Sequence, residues 1–449
     1  MGKLFGTDGV RGIANVYPMT PEIALRLGKA VAHIFREHDR QHTILIGKDT
    51  RVSGYMFENA LTAGITSMGA NVLLVGPMPT PAIAHLTKSF AADAGIMISA
   101  SHNPAEDNGI KFFSPDGYKL SDEMEAKIEE LVLSKDISSE HARGTRVGKA
   151  FRIEDARGRY IEFIKSVTEN RSLKGLSIVL DCANGAAYSV SPLIFRELGA
   201  NVTLINAQPD GLNINLNCGA LYPGLTKQAV IDAKANVGIA LDGDADRVIL
   251  VDEKGNVVDG DQILAMLALD WSERKLLKKN TIVITEYNNI GLDKALKKKG
   301  IKTIRVENGD RYVQEDLKKF NLNLGGEQSG HIIMPDYSTT SDGTLAALLV
   351  LDLMKRTNKK LSELADCFEK LPQILINIPV KHKKPIEDMP NLVKKINQMK
   401  RDLGKSGRIF IRYSGTQQML RILLEGKKKS RLNKCGNQLA REFIKELEK

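Results

Sequence analysis

Three successive stretches of this chain repeat one local pattern, in which an apolar strand-like run is followed by a helical pattern and then another strand. In the first, "TILIGKD" (43–49), "NVLLVGP" (71–77) and "AGIMIS" (94–99) are separated by helical patterns near 57–68 and 81–89. A helix over 22–38 precedes them, with Thr20 as its cap and Pro21 in its first turn. Strands that alternate with helices predict a mostly parallel sheet, because parallel neighbours need a crossover between them.

The pattern restarts after a charged linker, "SKDISSEHARGTRVGK" (134–149). Helices are expected near 154–169, 189–198 and 226–235, with strands in "LSIVLD", "NVTLINA" and "VGIALDGDADRVILVD". A third round places helices near 260–278, 291–299 and 342–355, with strands in "NTIVITE" and "KTIRVENGDRYV". Beyond a linker rich in lysine and proline (379–390) the grammar changes. There, a helix near 390–402, strands in "GRIFIRYS" and "MLRILLEG" and a helix over 431–447 predict a small α+β unit. The expected divisions are 1–150, 151–255 and 256–372, each an αβ unit of mixed or parallel sheet, and 373–449 as the small α+β unit. The 449 residues suffice for several cores.

A formal net charge of +10 points to nucleic acid, membrane or anionic metabolites as partners. The lysines lie in short runs such as "ALKKKG" and "EGKKKSR", which read as solvated faces between periodic segments. No zinc finger, aromatic platform or long basic arm supports a nucleic-acid partner. The longest apolar run, "LAALLVLDLM", is too short for a membrane span and carries Asp352. The start, "MGKLFGTDGVRG", has no apolar signal-peptide core. Four widely spaced cysteines form no CxxC pair, which suits a reducing compartment. A cytoplasmic protein without nucleic-acid or membrane partners is expected.

The sharpest chemical signal is "LDGDADR" (241–247), where Asp242, Asp244 and Asp246 alternate. On an extended or looping backbone alternate residues face one way, and three converging carboxylates repel unless a cation joins them. Hard oxygen donors suit Mg²⁺ or Ca²⁺. An EF-hand loop is the rival, with Glu253 at its twelfth position, but Arg247 stands where that loop needs glycine and the flanks read as strands. A plain polar turn is the bland reading. Arg247 adds a fixed donor for phosphate.

"GIMISASHNP" (95–104) ends a strand in polar residues, at the carboxyl end where open α/β sheets place ligands. Ser99 and Ser101 are both candidate nucleophiles there, and an ordinary strand end is the alternative. "NGIKFF" sets Lys111 on a strand between Ile110 and Phe112, where a cation can hold phosphate or move a proton. "FGTDGVRG" sets Asp8 and Arg11 among glycine turns. In "LGGEQSGH", after a short apolar strand, the paired glycines permit an unusual turn, and Glu327 and Ser329 offer hydrogen bonds to sugar hydroxyls. His331 is either an acid–base group or a satisfied loop histidine. "RYSGT" brings Arg412, Ser414, Gly415 and Thr416, with Arg421 on the next strand, which is either an anion grip or a simple hairpin turn.

Taken in order, "GTDGVRG", "SASHNP", "NGIKFF", "DGDADR", "GEQSGH" and "RYSGT" resemble the alpha-D-phosphohexomutases over essentially the whole chain. "DCANGAA", "PDGLNIN" and "GGEQSGH" lean to the amino-sugar branch. The resemblance implies four domains around a central cleft. It implies that Ser101 carries a covalent phosphate, with His102, Lys111, Arg11 and Arg247 in the catalytic group. Mg²⁺ would be held by Asp242, Asp244, Asp246 and the phosphorylated Ser101. Glu327, Ser329, His331 and Gly309 would read the sugar, and Arg412, Ser414, Gly415, Thr416 and Arg421 would grip the distal phosphate. The implied reaction moves phosphate between the 6- and 1-positions of glucosamine through a sugar 1,6-bisphosphate, which also serves as primer. The product would supply cell-wall precursor synthesis. The partner implied is a phosphorylated amino sugar, and a homodimer is admitted.

The chain also departs from the resemblance. It has "RYSGTQQ" where the family has a form like "RPSGTEP", and "YNNIGL" (287–292) where a Met-Ser-Asn-Leu-Gly-Leu pattern is usual. None of these changes removes the serine, the three aspartates or the two distal arginines.

Overall fold

A computed structural model describes residues 4–6, 8–36, 41–133, 141–168, 172–404, 407–414 and 418–447. The described strands form four sheets in chain order. The first contains β1 (Val10–Ile13), β2 (Thr43–Lys48), β3 (Asn71–Pro77), β4 (Ala94–Ile98), β5 (Asp107–Phe113) and β6 (Ala150–Arg152). Its order is β1-β5-β4-β2-β3-β6. β2, β3, β4 and β6 pair in parallel, and β5 and then β1 extend the sheet antiparallel beyond β4. β4 is buried at all five positions, as a strand covered on both faces must be.

The second sheet has β7 (Ser177–Asp181), β8 (Asn201–Ile205), β9 (Val237–Leu241), β10 (Val248–Asp252) and β11 (Val257–Val258), in the order β11-β10-β9-β7-β8. β9 and β10 pair antiparallel across the acidic loop, so that loop is a hairpin turn, not the helix-flanked EF-hand. The first and second sheets end at Arg152 and Val258, a few residues beyond the divisions expected at 150 and 255.

The third sheet runs β13-β12-β14-β15, from β12 (Thr281–Thr285), β13 (Lys302–Val306), β14 (Gly325–Gly326) and β15 (Ile332–Ile333). The run expected as strand to residue 313 stops at Val306, and Asp310–Phe320 is a helix. Gly309, at φ 140°, turns the chain between them. The helix expected to reach 278 ends at Glu273, because Lys275 adopts a left-handed backbone at φ 60°. The paired glycines after Leu324 make no turn. They are the strand β14 itself, where a Cβ on Gly326 would lie 2.2 Å from the His331 carbonyl oxygen. The last sheet, β16-β18-β17, is wholly antiparallel, from β16 (Gln373–Pro379), β17 (Arg408–Tyr413) and β18 (Met419–Glu425).

One hydrophobic core runs through the first three units, from Met78 and Ile83 through Ile178 and Ile239 to Ile282 and Leu348. At its centre the helix Gly343–Thr357 is buried on all sides from Gly343 to Met354, which explains its unbroken apolar run. Asp342 caps it, accepting from Leu345 N at 2.9 Å. The fourth unit has a separate core around Leu392, Ile422, Leu424 and Phe443.

Within the first unit, helices Pro21–Ile34 and Ser53–Ser67 approach closely through small residues. A Cβ on Gly64 would meet the Leu25 carbonyl oxygen at 2.2 Å, with only backbone there to yield. Gly64→Ala is therefore expected to destabilise the protein by about 1–3 kcal/mol, as overpacking does. Urea unfolding measures this, and an unshifted transition would refute the packing argument.

Candidate active site

The end of β4, the end of β9 and the middle of β5 bring distant residues together. Asp242, Asp244 and Asp246 each offer a carboxylate oxygen within 4.8 Å of the others, and all three are buried. The hydroxyl of Ser101 donates to Asp242 Oδ2 at 2.8 Å, and His102 Nδ1 lies 3.2 Å from Ser101 Oγ. Ser101 is buried and adopts φ 52°, an uncommon left-handed backbone for a side-chain-bearing residue. Ser99, the other candidate, is occupied as a support. Its hydroxyl accepts from Ser101 N at 2.9 Å and donates to Asp49 Oδ2 at 2.6 Å.

Lys111 enters from β5. Its Nζ lies 2.8 Å from Asp244, 3.2 Å from Asp8 and 3.7 Å from Asp246. Burial works against its charge, but these carboxylates outweigh burial and raise its pKa, so it stays an ammonium. Thr80 donates its hydroxyl to the same oxygen, Asp244 Oδ2, at 2.6 Å. Burial pushes Asp244 upward, but Lys111 and Thr80 overcome it and hold the carboxyl well below its usual range.

Asp242 and Asp246 behave oppositely. Burial, then the neighbouring carboxylates, push both up to about 7. The buried Oδ1 atoms of Asp244 and Asp246 have no hydrogen-bond partner among the described residues. Buried carboxylate oxygens are otherwise nearly always paired, so hard, converging, unpartnered donors fit a divalent cation.

Arg11 pairs with Asp8, and the charges of Asp8, Asp244 and Asp246 outweigh burial and raise its pKa. Asp8 continues outward to Lys119 at 2.8 Å, and Lys119 reaches Asp310 at 2.7 Å. Alternating charges thus run from Asp244 through Lys111, Asp8 and Lys119 to the third unit. Lys119, Asp310 and Thr80 were not singled out in the sequence. Asp310 follows Gly309 in "NGDRYV", the one local hint available.

Arg247 Nε donates to His331 Nε2 at 2.8 Å, and His331 Nδ1 lies 3.0 Å from Ser341 Oγ. Since Nε2 accepts, the ring proton sits on Nδ1. Burial, then Arg247, lowers its pKa. His102 is neutral as well, with burial, Arg247 and Arg11 lowering it to about 3.

Glu327 gathers the expected sugar contacts. Its Oε1 accepts from Gly309 N at 2.9 Å and its Oε2 from Ser329 Oγ at 2.8 Å.

The distal arginines form a second cluster. Arg412 and Arg421 stand directly opposite across β17 and β18. Like charges so placed repel, and a bound anion would relieve them. The Arg412 guanidinium lies 5.5 Å from the Tyr287 ring centre, and its Nε donates to the Tyr287 hydroxyl at 3.4 Å. The unexpected Tyr287 thus joins the third unit to this cluster. Ser414 is buried, and Lys383 Nζ donates to its carbonyl at 2.6 Å. Gly415 and Thr416 lie outside the described residues.

Four consecutive models of the phosphoglucomutase/phosphomannomutase family match this chain. They are alpha/beta/alpha domain I over 2–138, domain II over 158–255, domain III over 259–371 and the C-terminal domain over 375–442. The phosphoglucosamine mutase of Citrifermentans bemidjiense is 55% identical over 98% of this chain and 97% of its own. That of Myxococcus xanthus is 53% identical over 99% and 97%. Among solved structures, a phosphoglucomutase/phosphomannomutase family protein from Burkholderia thailandensis superposes with a TM-score of 0.79 at 21% identity, covering 98% of this chain and 96% of that one.

Proposed function

The chain belongs to the phosphoglucomutase/phosphomannomutase family, and we propose that it interconverts glucosamine 6-phosphate and glucosamine 1-phosphate, with Ser101 as the phosphate carrier. The observation that carries the chemistry is the Ser101 hydroxyl on Asp242, beside two buried carboxylate oxygens that have no hydrogen-bond partner among the described residues. The amino sugar rests on the relatives, which are phosphoglucosamine mutases over nearly their whole length.

In this reading the bond from phosphorus to Ser101 Oγ breaks as a bond to a sugar oxygen forms. The proton of the sugar hydroxyl ends on Ser101 Oγ, with the neutral His102 Nδ1, 3.2 Å away, as its relay. The resulting 1,6-bisphosphate turns over, and its other phosphate returns to the serine. Asp242, Asp244 and Asp246 would hold Mg²⁺, which when bound supplies positive charge for the transferring phosphoryl oxygens. Lys111 acts as a fixed cation, since three carboxylates keep it charged. Arg11 and Arg247 flank the phosphoryl group, and Glu327, Ser329 and Gly309 face the sugar, with His331 holding Arg247.

Arg412, Ser414, Gly415, Thr416 and Arg421 would bind the phosphate that does not react. The separate core of the fourth unit supports its shifting as a body while the bisphosphate reorients. No described helix is long and apolar enough to cross a membrane. Four cysteines without disulfides suit a cytoplasmic setting.

Initial rates on the 6-phosphates of glucosamine, glucose and mannose, with Mg²⁺ and a sugar 1,6-bisphosphate primer, test the proposal. The highest kcat/KM is expected on glucosamine 6-phosphate. A preference for either neutral sugar would move the enzyme to a sister branch, and no turnover of any would refute the catalytic reading.

A further inference from the structure

Arg51 follows β2 in the stretch "KDTRVSG". It is fully buried. Its Nε donates to Asp49 Oδ2 at 2.8 Å. Both protons on one terminal nitrogen go to carbonyls, Pro104 O and Asp107 O, the latter at 2.9 Å. The other terminal nitrogen donates to Ser101 O at 3.1 Å and Asn103 O at 2.8 Å. A guanidinium has five N–H donors, so none is left. Arg51 therefore has no donor for phosphate, and four of its five bonds grip one loop of seven residues, 101–107.

That loop carries Ser101. The Ser101 carbonyl also accepts from Asn215 Nδ2, at 2.9 Å, which reaches in from the second unit and bonds Asn103 O at 3.0 Å. The Ser101 N–H is tied to Ser99, whose hydroxyl rests on the same Asp49 that pairs with Arg51. Both backbone polar groups of the serine are thus anchored, and the backbone is kept at φ 52°. Only the side chain is left to move.

We infer that Arg51, with Asn215 as its partner from the second unit, is a positioning residue that locks the Ser101 loop so that the serine oxygen meets the phosphoryl group in one orientation in both transfers. This rests on Ser101 being the phosphate carrier. A lysine cannot replace Arg51, because three donors radiating from one nitrogen do not reproduce a planar fork on four carbonyls.

Arg51→Lys tests this in the full-length enzyme with Mg²⁺ present. The expected result is a kcat lower by about 100-fold, the size of effect a small misplacement of reacting groups produces, with KM for the sugar phosphate unchanged. Backbone amide exchange should accelerate over 101–107 and stay unchanged in the other sheets. Asn215→Ala, which removes only the second grip, should give the same pattern with a smaller loss. A folded Arg51→Lys enzyme with wild-type kcat would overturn the inference, as would slowed turnover with unaltered exchange over 101–107. Should the wild-type enzyme turn over no sugar phosphate, the functional reading falls, and the exchange measurement alone decides whether Arg51 holds the loop.

Discussion

Replacing Ser101 with alanine is expected to abolish mutase turnover, with kcat falling roughly a millionfold, as loss of a covalent nucleophile does elsewhere. Intact-protein mass spectrometry after incubation with a sugar 1,6-bisphosphate should then show no phosphate on the protein. The substitution removes the hydrogen bond to Asp242 and leaves a β-carbon on a left-handed backbone. Ser101→Gly separates these effects, because glycine accepts φ 52° without strain. Both variants should lose activity equally. An active, folded Ser101→Ala enzyme would remove the serine from the mechanism and reopen Ser99, which the geometry commits to supporting the Ser101 N–H.

Asp244→Asn is expected to weaken Mg²⁺ binding and lower kcat by about 100- to 1000-fold, the range seen when one preorganised electrostatic contact is lost. Of the three aspartates, Asp244 is the most firmly ionised, because Lys111 and Thr80 both donate to its Oδ2, and its buried Oδ1 has no hydrogen-bond partner among the described residues. Asparagine keeps the shape but removes the negative charge. Lys111 retains Asp8 and Asp246 as neighbours, so the fold should survive. Calorimetric titration with Mg²⁺ reads the affinity directly, independent of turnover. Wild-type affinity in the variant would exclude Asp244 from the cation site.

Both residues stand in short motifs where neighbouring residues carry the signal. "SASHNP" sits at a strand end and "DGDADR" alternates carboxylates across a turn, so local spacing alone marks them. The same holds for Arg412 and Arg421, which two consecutive strands of a hairpin place opposite each other. His331 shows the limit of that reading. Its residue type admits acid–base chemistry, and that its Nε2 accepts from Arg247, 84 residues away in sequence, is visible only in the fold. The glycines at 325–326 permit a turn by residue type, whereas in the fold neighbouring backbone leaves no room for a side chain there.

By itself the sequence determined the strand-and-helix grammar of three αβ units and a smaller α+β unit, the acidic triplet, the serine and the arginine pair. These follow from periodicity and side-chain chemistry over a few residues, where the covalent chain keeps neighbours close. Only the tertiary structure decided that three units share one core, that Lys111 bridges Asp8 and Asp244, and that Arg51 spends every donor beside the serine. Each of those facts joins positions separated by tens to hundreds of residues. They exist because burying apolar surface folds the chain back on itself, and a buried charge then needs partners from whatever segments that packing brings within reach.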